Sequence, residues 1–256
     1  MPVDDEGLVV NALPTQTRLV YVSPSHQFPL GMSMSLPRRR ALIAWAADHD
    51  AAVVEDDYDS DFRYGARPIE ALQTLDKSGR VIYVGSFSKT MLPTLRLGFV
   101  IVPESLRIAA QSAKFLTDWH TSLPLQAALA TFIDDGLFAR HVRRMRTAYQ
   151  GRHEKIVEVL ARDFEDELAV IPSSVGLHVS AIARTASVDQ IATLARVASQ
   201  AGVECFPLAL FSAGDNPRAG LLLGYGAIDT DQIEPGLNRL KGCFAAMDEP
   251  GRGRNS

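Results

Sequence analysis

The stretch that most constrains this chain is Gly85-Ser86-Phe87-Ser88-Lys89-Thr90-Met91-Leu92-Pro93-Thr94-Leu95-Arg96-Leu97-Gly98, a polar segment between the apolar runs Val81-Ile82-Tyr83-Val84 and Phe99-Val100-Ile101-Val102. Runs of four branched and aromatic residues bounded by Gly and Pro read as buried strands. The segment therefore delivers one lysine, two close serines (Ser86 and Ser88) and, seven residues on, Arg96 to the rim of a sheet.

Most lysines are solvated surface charges, so this one needs a reason to sit between strands. A nucleotide P-loop would require Gly directly before the lysine and again six before it, where this chain has Ser88 and Tyr83. The reading that survives is an amine that condenses with a carbonyl, beside hydroxyls and a guanidinium whose fork matches phosphate oxygens. Pyridoxal phosphate fits that chemistry. It requires the Lys89 amine to face an acid at the same rim.

The sheet around the segment follows from the order of elements. Arg18-Leu19-Val20-Tyr21-Val22 is expected as a buried strand, ending in a Pro- and Gly-punctuated loop from 24 to 31. Ser35 is a good N-cap for a helix to about Ala47 with Leu42, Ile43, Ala46 and Ala47 on its apolar face. A short strand, Ala52-Val53-Val54, then runs into Glu55-Asp56-Asp57-Tyr58-Asp59. Three or four naked carboxylates cannot be deeply buried, although one could be held against a cation. Right-handed crossovers bring the carboxyl ends of the first three strands to one edge, where ligands bind in such sheets. The fourth strand follows too soon for a helical crossover and is expected to run antiparallel.

From 103 to about 164 the pattern is helical, with apolar residues recurring through Leu125, Leu129, Phe132 and Ile133 and again through Val142, Tyr149, Ile156 and Leu160. Beyond it, strands are expected at 168–171, 177–182, 203–206 and 221–223, with a helix opened by the Ser187-x-x-Gln190 capping box. A last helix starts near Asp229 or Thr230, and the Gly251-Arg252-Gly253-Arg254 tail is expected to fray. The domains are expected as a cofactor-binding part at 1–135 and a connector helix with a smaller domain at 136–256.

Composition narrows the function classes. The 256 residues are 46% hydrophobic and 22% charged, as in ordinary folded domains, and the net charge of −4 gives no sign of a nucleic-acid-binding surface. The basic runs Arg38-Arg39-Arg40 and Arg143-Arg144-Met145-Arg146 are expected on solvated helix faces. Cys205 and Cys243 form no metal or CxxC pattern and are expected as buried thiols. With no leader-like start and no membrane-length apolar run, a cytoplasmic protein is expected.

Three motifs together carry a family resemblance: Ser-x-Ser-Lys-x-x-x-Pro-x-x-Arg-x-Gly from Ser86 to Gly98, Glu-Asp-Asp-Tyr at 55–58, and Pro-x-x-Gln-x-Pro-x-Gly from Pro24 to Gly31. They resemble class I/II aminotransferases, an α/β fold of the pyridoxal-phosphate fold type I group. Ser-His-Gln-Phe-Pro at 25–29, Asp-Asp-Tyr-Asp-Ser-Asp-Phe-Arg-Tyr at 56–64 and Arg-His-Val-Arg-Arg-Met-Arg-x-x-Tyr at 140–149 are similar to the aminotransferase-like domain of MocR-type regulators of the GntR superfamily, related to GabR and PdxR. The resemblance implies a mainly parallel sheet flanked by helices, incomplete here, with a smaller C-terminal α+β domain. Lys89 becomes the internal-aldimine lysine, Asp56 the acid facing the pyridine nitrogen, and Tyr58 the partner of the ring oxygen. Ser86, Ser88 and Arg96 become the phosphate ligands. The arginine that would take a substrate carboxylate is missing from Leu221-Leu222-Leu223, and the nearest candidate is Arg218. Phe28 stands where related enzymes commonly carry asparagine. The resemblance also implies an upstream part of the domain, and upstream of that a winged helix, so a truncated or split product is expected.

Three functions are consistent with these residues. One is a transaminase acting on amino and keto acids. The second is an effector-binding domain in which an amino compound shifts a conformational equilibrium. The third is an unrelated doubly wound domain or an inactive fragment. A homodimer is expected by resemblance; contact with nucleic acid or membrane is not.

Overall fold

The computed structural model describes residues 1–65, 69–214 and 216–248, so the expected fraying of the Gly251-Arg252-Gly253-Arg254 tail lies outside the described residues. The chain forms two compact units. The first comprises Met1–Phe28, Met32–Arg146 and Ser174–Gly176; the second comprises Pro29–Gly31, Thr147–Ser173 and Leu177–Ser256.

The first unit opens with a hairpin of two-residue strands, β1 (Val3–Asp4) and β2 (Gly7–Leu8), ahead of the first expected strand. Its sheet then runs β3 (Leu19–Val22), β4 (Ala52–Asp57), β5 (Val81–Ser86) and β6 (Gly98–Ile101), adjacent in that order. The first two pairings are parallel and the last is antiparallel, as the connection lengths require. Helix α1 (Leu36–Asp48) is capped by the Ser35 side chain, which accepts from the Arg38 amide. Val20, Val22, Val53 and Val81 from the sheet pack with Leu42 and Ala46 of α1 and with Leu8, Val10 and Leu13 of the N-terminal segment.

Several expectations need correction. β3 is buried on one side only: Val20 and Val22 pack into the core with α1, whereas Leu19 and Tyr21 are exposed and line a cavity. β6, the other edge, is exposed along its whole length rather than buried. The basic run at 38–40 is not a solvated face. Arg38 bonds the Leu8 carbonyl and the carboxylates of Asp4 and Glu6, and Arg39 is fully buried. Arg39 stands three residues before Leu42 and seven before Ala46, on the same helical face as both.

A short helix, α2 (Leu72–Leu75), precedes β5, and after β6 the helical region resolves into α3 (Arg107–Asp118), α4 (Leu123–Asp134) and α5 (Leu137–Asp163), the last of which continues from the first unit into the second. Neither α3 nor α4 has a buried residue, and Phe115, Leu116, Trp119 and Leu123 are all more than half exposed.

The second unit is a four-stranded antiparallel sheet, ordered β7 (Leu168–Val170), β8 (His178–Ala183), β10 (Gly220–Gly224) and β9 (Phe206–Pro207). Helix α6 (Val188–Gln200) has the expected capping box, and α7 (Thr230–Asp248) closes the described chain. The strand expected at 203–206 is shorter and later, at 206–207, where Pro207 is tolerated because β9 is an edge. Leu221, Leu222 and Leu223 are buried in β10. Cys205 and Cys243 are buried free thiols, and burial pushes the Cys205 pKa up to about 11. Among the described residues no helix is long and apolar enough to cross a membrane.

Candidate functional site

The carboxyl ends of β3, β4 and β5 meet in the first unit around a cavity of about 750 Å3. Its apolar wall includes Leu8, Leu13, Val20 and Phe28, and its polar groups include Asp56, Tyr58 and Lys89. The in-register parallel pairing accounts for this convergence. Val22 lies opposite Glu55 and Asp57 opposite Gly85, so the chain leaves all three strands at one level.

Successive residues of β4 point to opposite faces of the sheet, and a tyrosine from each neighbouring strand meets one of its two aspartates. Tyr21 of β3 donates to Asp56 Oδ2, and Tyr83 of β5 donates to Asp57 Oδ2 at 2.6 Å. The two sites differ in what remains. Asp57 Oδ1 is buried without a hydrogen-bond partner among the described residues and Asp57 does not line the cavity, whereas Asp56 does. Burial at the hydroxyl, reinforced by Asp56, pushes the Tyr21 pKa up to about 12.

Tyr58 sits above a buried pair. Its hydroxyl donates to the His26 carbonyl at 3.1 Å and lies 3.3 Å from His26 Nδ1, which is 2.8 Å from Asp59 Oδ2. Burial drives the Tyr58 pKa upward, helped by the charges of Asp59 and Asp56. Burial also raises the Asp59 carboxyl pKa, with the hydrogen bond from His26 working against it. Gly176, at φ +88°, packs on this pair: a Cβ there would fall 2.1 Å from the His26 ring. A phenol has one proton, so Tyr58 can serve the His26 carbonyl or a ligand oxygen, but not both at once.

Lys89 lies in the turn after β5, exposed and lining the cavity, close enough for its charge to act on Asp59. Ser86 and Ser88 are paired by a hydrogen bond from the Ser88 amide to Ser86 Oγ at 3.1 Å. Arg96 is exposed in the left-handed region, φ 51° and ψ 36°, a costly conformation for a side-chain-bearing residue that recurs at ligand sites. Neither serine nor Arg96 lines the cavity, so of the sequence-derived set the structure gathers Asp56, Tyr58 and Lys89 there. Arg218 is exposed in the second unit, before β10.

Two glycines and an aromatic fix the lysine loop. Gly85 faces Phe99 in the β5–β6 register, and a Cβ on Gly85 would stand 2.4 Å from the Phe99 ring. Gly98 has equally little room, 2.8 Å from the Gly85 carbonyl oxygen. Sequence reasoning missed Tyr21, Tyr83, His26 and Asp59 as parts of the site. The two-residue alternation placing Tyr21 on the face of Asp56, and Tyr83 on that of Asp57, was the available signal.

Comparison with known proteins bears on what this constellation is. Residues 11–233 match the family described as Aminotransferase class I and II. The chain belongs to that family. It is 40% identical over 98% of its length to a probable rhizopine catabolism regulatory protein MocR of Rhizobium meliloti, covering 51% of that protein. It is 30% identical over 91% of its length to the pyridoxine biosynthesis transcriptional regulator PdxR of Corynebacterium glutamicum, covering 50% of it. Among solved structures, a Pyrococcus horikoshii kynurenine aminotransferase in complex with PMP is similar, with a TM-score of 0.88, 27% identity and coverage of 97% of this chain and 64% of that one. The chain thus spans about half the length of these curated relatives. The fold is that of the pyridoxal-phosphate aminotransferases, and pyridoxal 5'-phosphate is the cofactor that goes with it. The groups gathered at the cavity fit the cofactor: an acid with one oxygen held by a phenol, a second phenol and an amine.

Proposed function

We propose that this chain is a pyridoxal-phosphate-binding domain that takes an amino compound at Lys89, either for amino transfer to a keto acid or as a sensed effector. The observation that carries the reading is that Lys89, Asp56 and Tyr58 line one cavity. When bound, the cofactor supplies an electron sink for bond cleavage at the amino-bearing carbon. Lys89 offers the amine that anchors it and, once displaced, a base to move a proton. Asp56 holds a proton on the ring nitrogen. Tyr58, on releasing the His26 carbonyl, donates to the ring oxygen. Ser86, Ser88 and Arg96 bind the phosphate, and Arg218 is the cation offered to a substrate carboxylate. The division into a cofactor-binding part at 1–135 and a connector with a smaller domain at 136–256 belongs to the same proposal.

The effector-sensing alternative is favoured by two further observations. Leu222 is buried in β10 in the stretch where the simpler enzymes carry the carboxylate-binding arginine, and curated relatives of this chain are named as regulators. A homodimer in the cytoplasm completes the proposal; the exposed apolar side chains of α3 and α4 support a partner surface, and the two free thiols a reducing setting. Borohydride reduction of protein mixed with pyridoxal phosphate, followed by peptide mass mapping, tests the central claim. A modified Lys89, absent in Lys89→Ala, supports it, and an unmodified Lys89 in the wild type sinks it. Keto-acid-dependent turnover then separates amino transfer from sensing.

A further inference from the structure

Resting on that reading of the site, we propose that Tyr21 is a positioning residue for the cofactor's ring nitrogen, acting through Asp56 by holding one carboxylate oxygen and leaving the other for the ring. Tyr21 pairs in register with Val54, two residues before Asp56 on the same face of β4, so the contact is built into the strand alignment rather than into a loop. The phenol donates to Oδ2, no hydrogen bond reaches Oδ1 among the described residues, and both side chains line the cavity. Asp57 provides the contrast within the same strand. It has a tyrosine of its own, but its second oxygen is buried and the residue lines no part of the cavity.

A phenol donating to a carboxylate stabilises the anion, and an anion is the better partner for a protonated ring nitrogen. It also fixes the carboxylate plane. A carboxylate on a freely turning side chain would pay that ordering cost when the cofactor binds. Tyr21 itself is 66% exposed, so it contributes little packing, and removing its hydroxyl changes the acid without opening the core.

The test is a double-mutant cycle on the full chain, read by pyridoxal-phosphate affinity and by the 15N shift of the ring nitrogen in labelled cofactor. Tyr21→Phe is expected to weaken cofactor affinity roughly tenfold, the size of one net hydrogen bond. The ring-nitrogen signal is expected to move toward the unprotonated form, while the melting temperature of the apoprotein stays unchanged. In the Asp56→Asn background the same substitution is expected to cost little. Unchanged affinity and ring-nitrogen shift in Tyr21→Phe would overturn the proposal, as would an equal loss in both backgrounds. If Asp56→Asn binds no measurable cofactor, the ring-nitrogen shift of Tyr21→Phe decides. A wild-type protein that gives no adduct at Lys89 removes the underlying site as well; an adduct with a silent Tyr21→Phe removes this inference alone.

Discussion

The Arg39 guanidinium and the Glu55 carboxylate, both without solvent exposure, stand 3.8 Å apart beneath the end of β4. Each is also held by backbone. Arg39 donates to the carbonyls of Met34, Glu70 and Pro24 at 2.8–3.0 Å, and Glu55 accepts from the amides of Leu72 and Gln73 at 2.9 Å. Burial pulls the Arg39 pKa down and pushes the Glu55 pKa up, so each charge depends on the other and on these backbone bonds. Breaking one side of such a pair costs about 3–5 kcal/mol. Arg39→Met is therefore expected to lose most of that in denaturant unfolding, and Arg39→Met with Glu55→Met to lose less than either single change. A single substitution costing under about 1 kcal/mol would contradict the account.

Gly85 carries the lysine loop out of β5 under the ring of Phe99. An added methyl must push that ring or the β6 backbone aside, an overpacking cost of about 1–3 kcal/mol. Gly85→Ala is expected to lower stability by this amount, and Gly85→Ala with Phe99→Leu to recover part of it. The loss and the partial recovery are read as midpoint shifts in urea.

How much of this was legible beforehand depended on whether a pattern or a partner decided the outcome. The strand directions followed from connection length, and the convergence of Asp56, Tyr58 and Lys89 followed from the strand directions. The burial of Arg39 did not follow, because three consecutive arginines look solvated until the middle one is seen to share a face with Leu42 and Ala46. The exposure of β6 was hidden for a similar reason: Phe99, Val100 and Ile101 form an apolar run that reads as buried, yet each remains more than two-fifths exposed. The pairing of Asp59 with His26 was not legible, since the two are thirty-three residues apart and only the fold brings them together.

The His26–Asp59 pair gives a further prediction. Gly176 is doubly constrained, by a φ of +88° and by a Cβ that would come 2.5 Å from Asp59 Oδ2 as well as against the His26 ring. Gly176→Ala is expected to destabilise more than the loss of chain entropy in the same substitution at an open position could offset. Because His26 also receives the Tyr58 hydroxyl, cofactor affinity is expected to change with it. Parallel measurement in Gly236→Ala, where an added Cβ meets nothing within 4 Å beyond its own helix among the described residues, supplies the control.

Asp76 sets the entry to β5 and predicts an acid limb of stability. Its carboxylate accepts from the Ser78 hydroxyl at 2.7 Å and from the amides of Ser78, Arg80 and Val81 at 2.6–2.8 Å. Burial opposes its ionisation, yet these four donors outweigh burial and hold its pKa below the usual carboxylate value. A carboxyl whose folded pKa is depressed stabilises the fold fully above its unfolded pKa of about 3.9, and that contribution disappears as pH falls through the lower folded value. Asp76→Asn keeps the shape but loses the charge and turns an amide toward backbone donors. The stability gap between wild type and Asp76→Asn is therefore expected to be constant above about pH 5 and to close below about pH 4, where the wild-type carboxylate takes up its proton. Urea midpoints across that range measure the gap. A gap that persists undiminished at the lowest pH would mean that the turn is held by shape rather than by charge, and that the strand presenting Lys89 owes nothing to Asp76 ionisation.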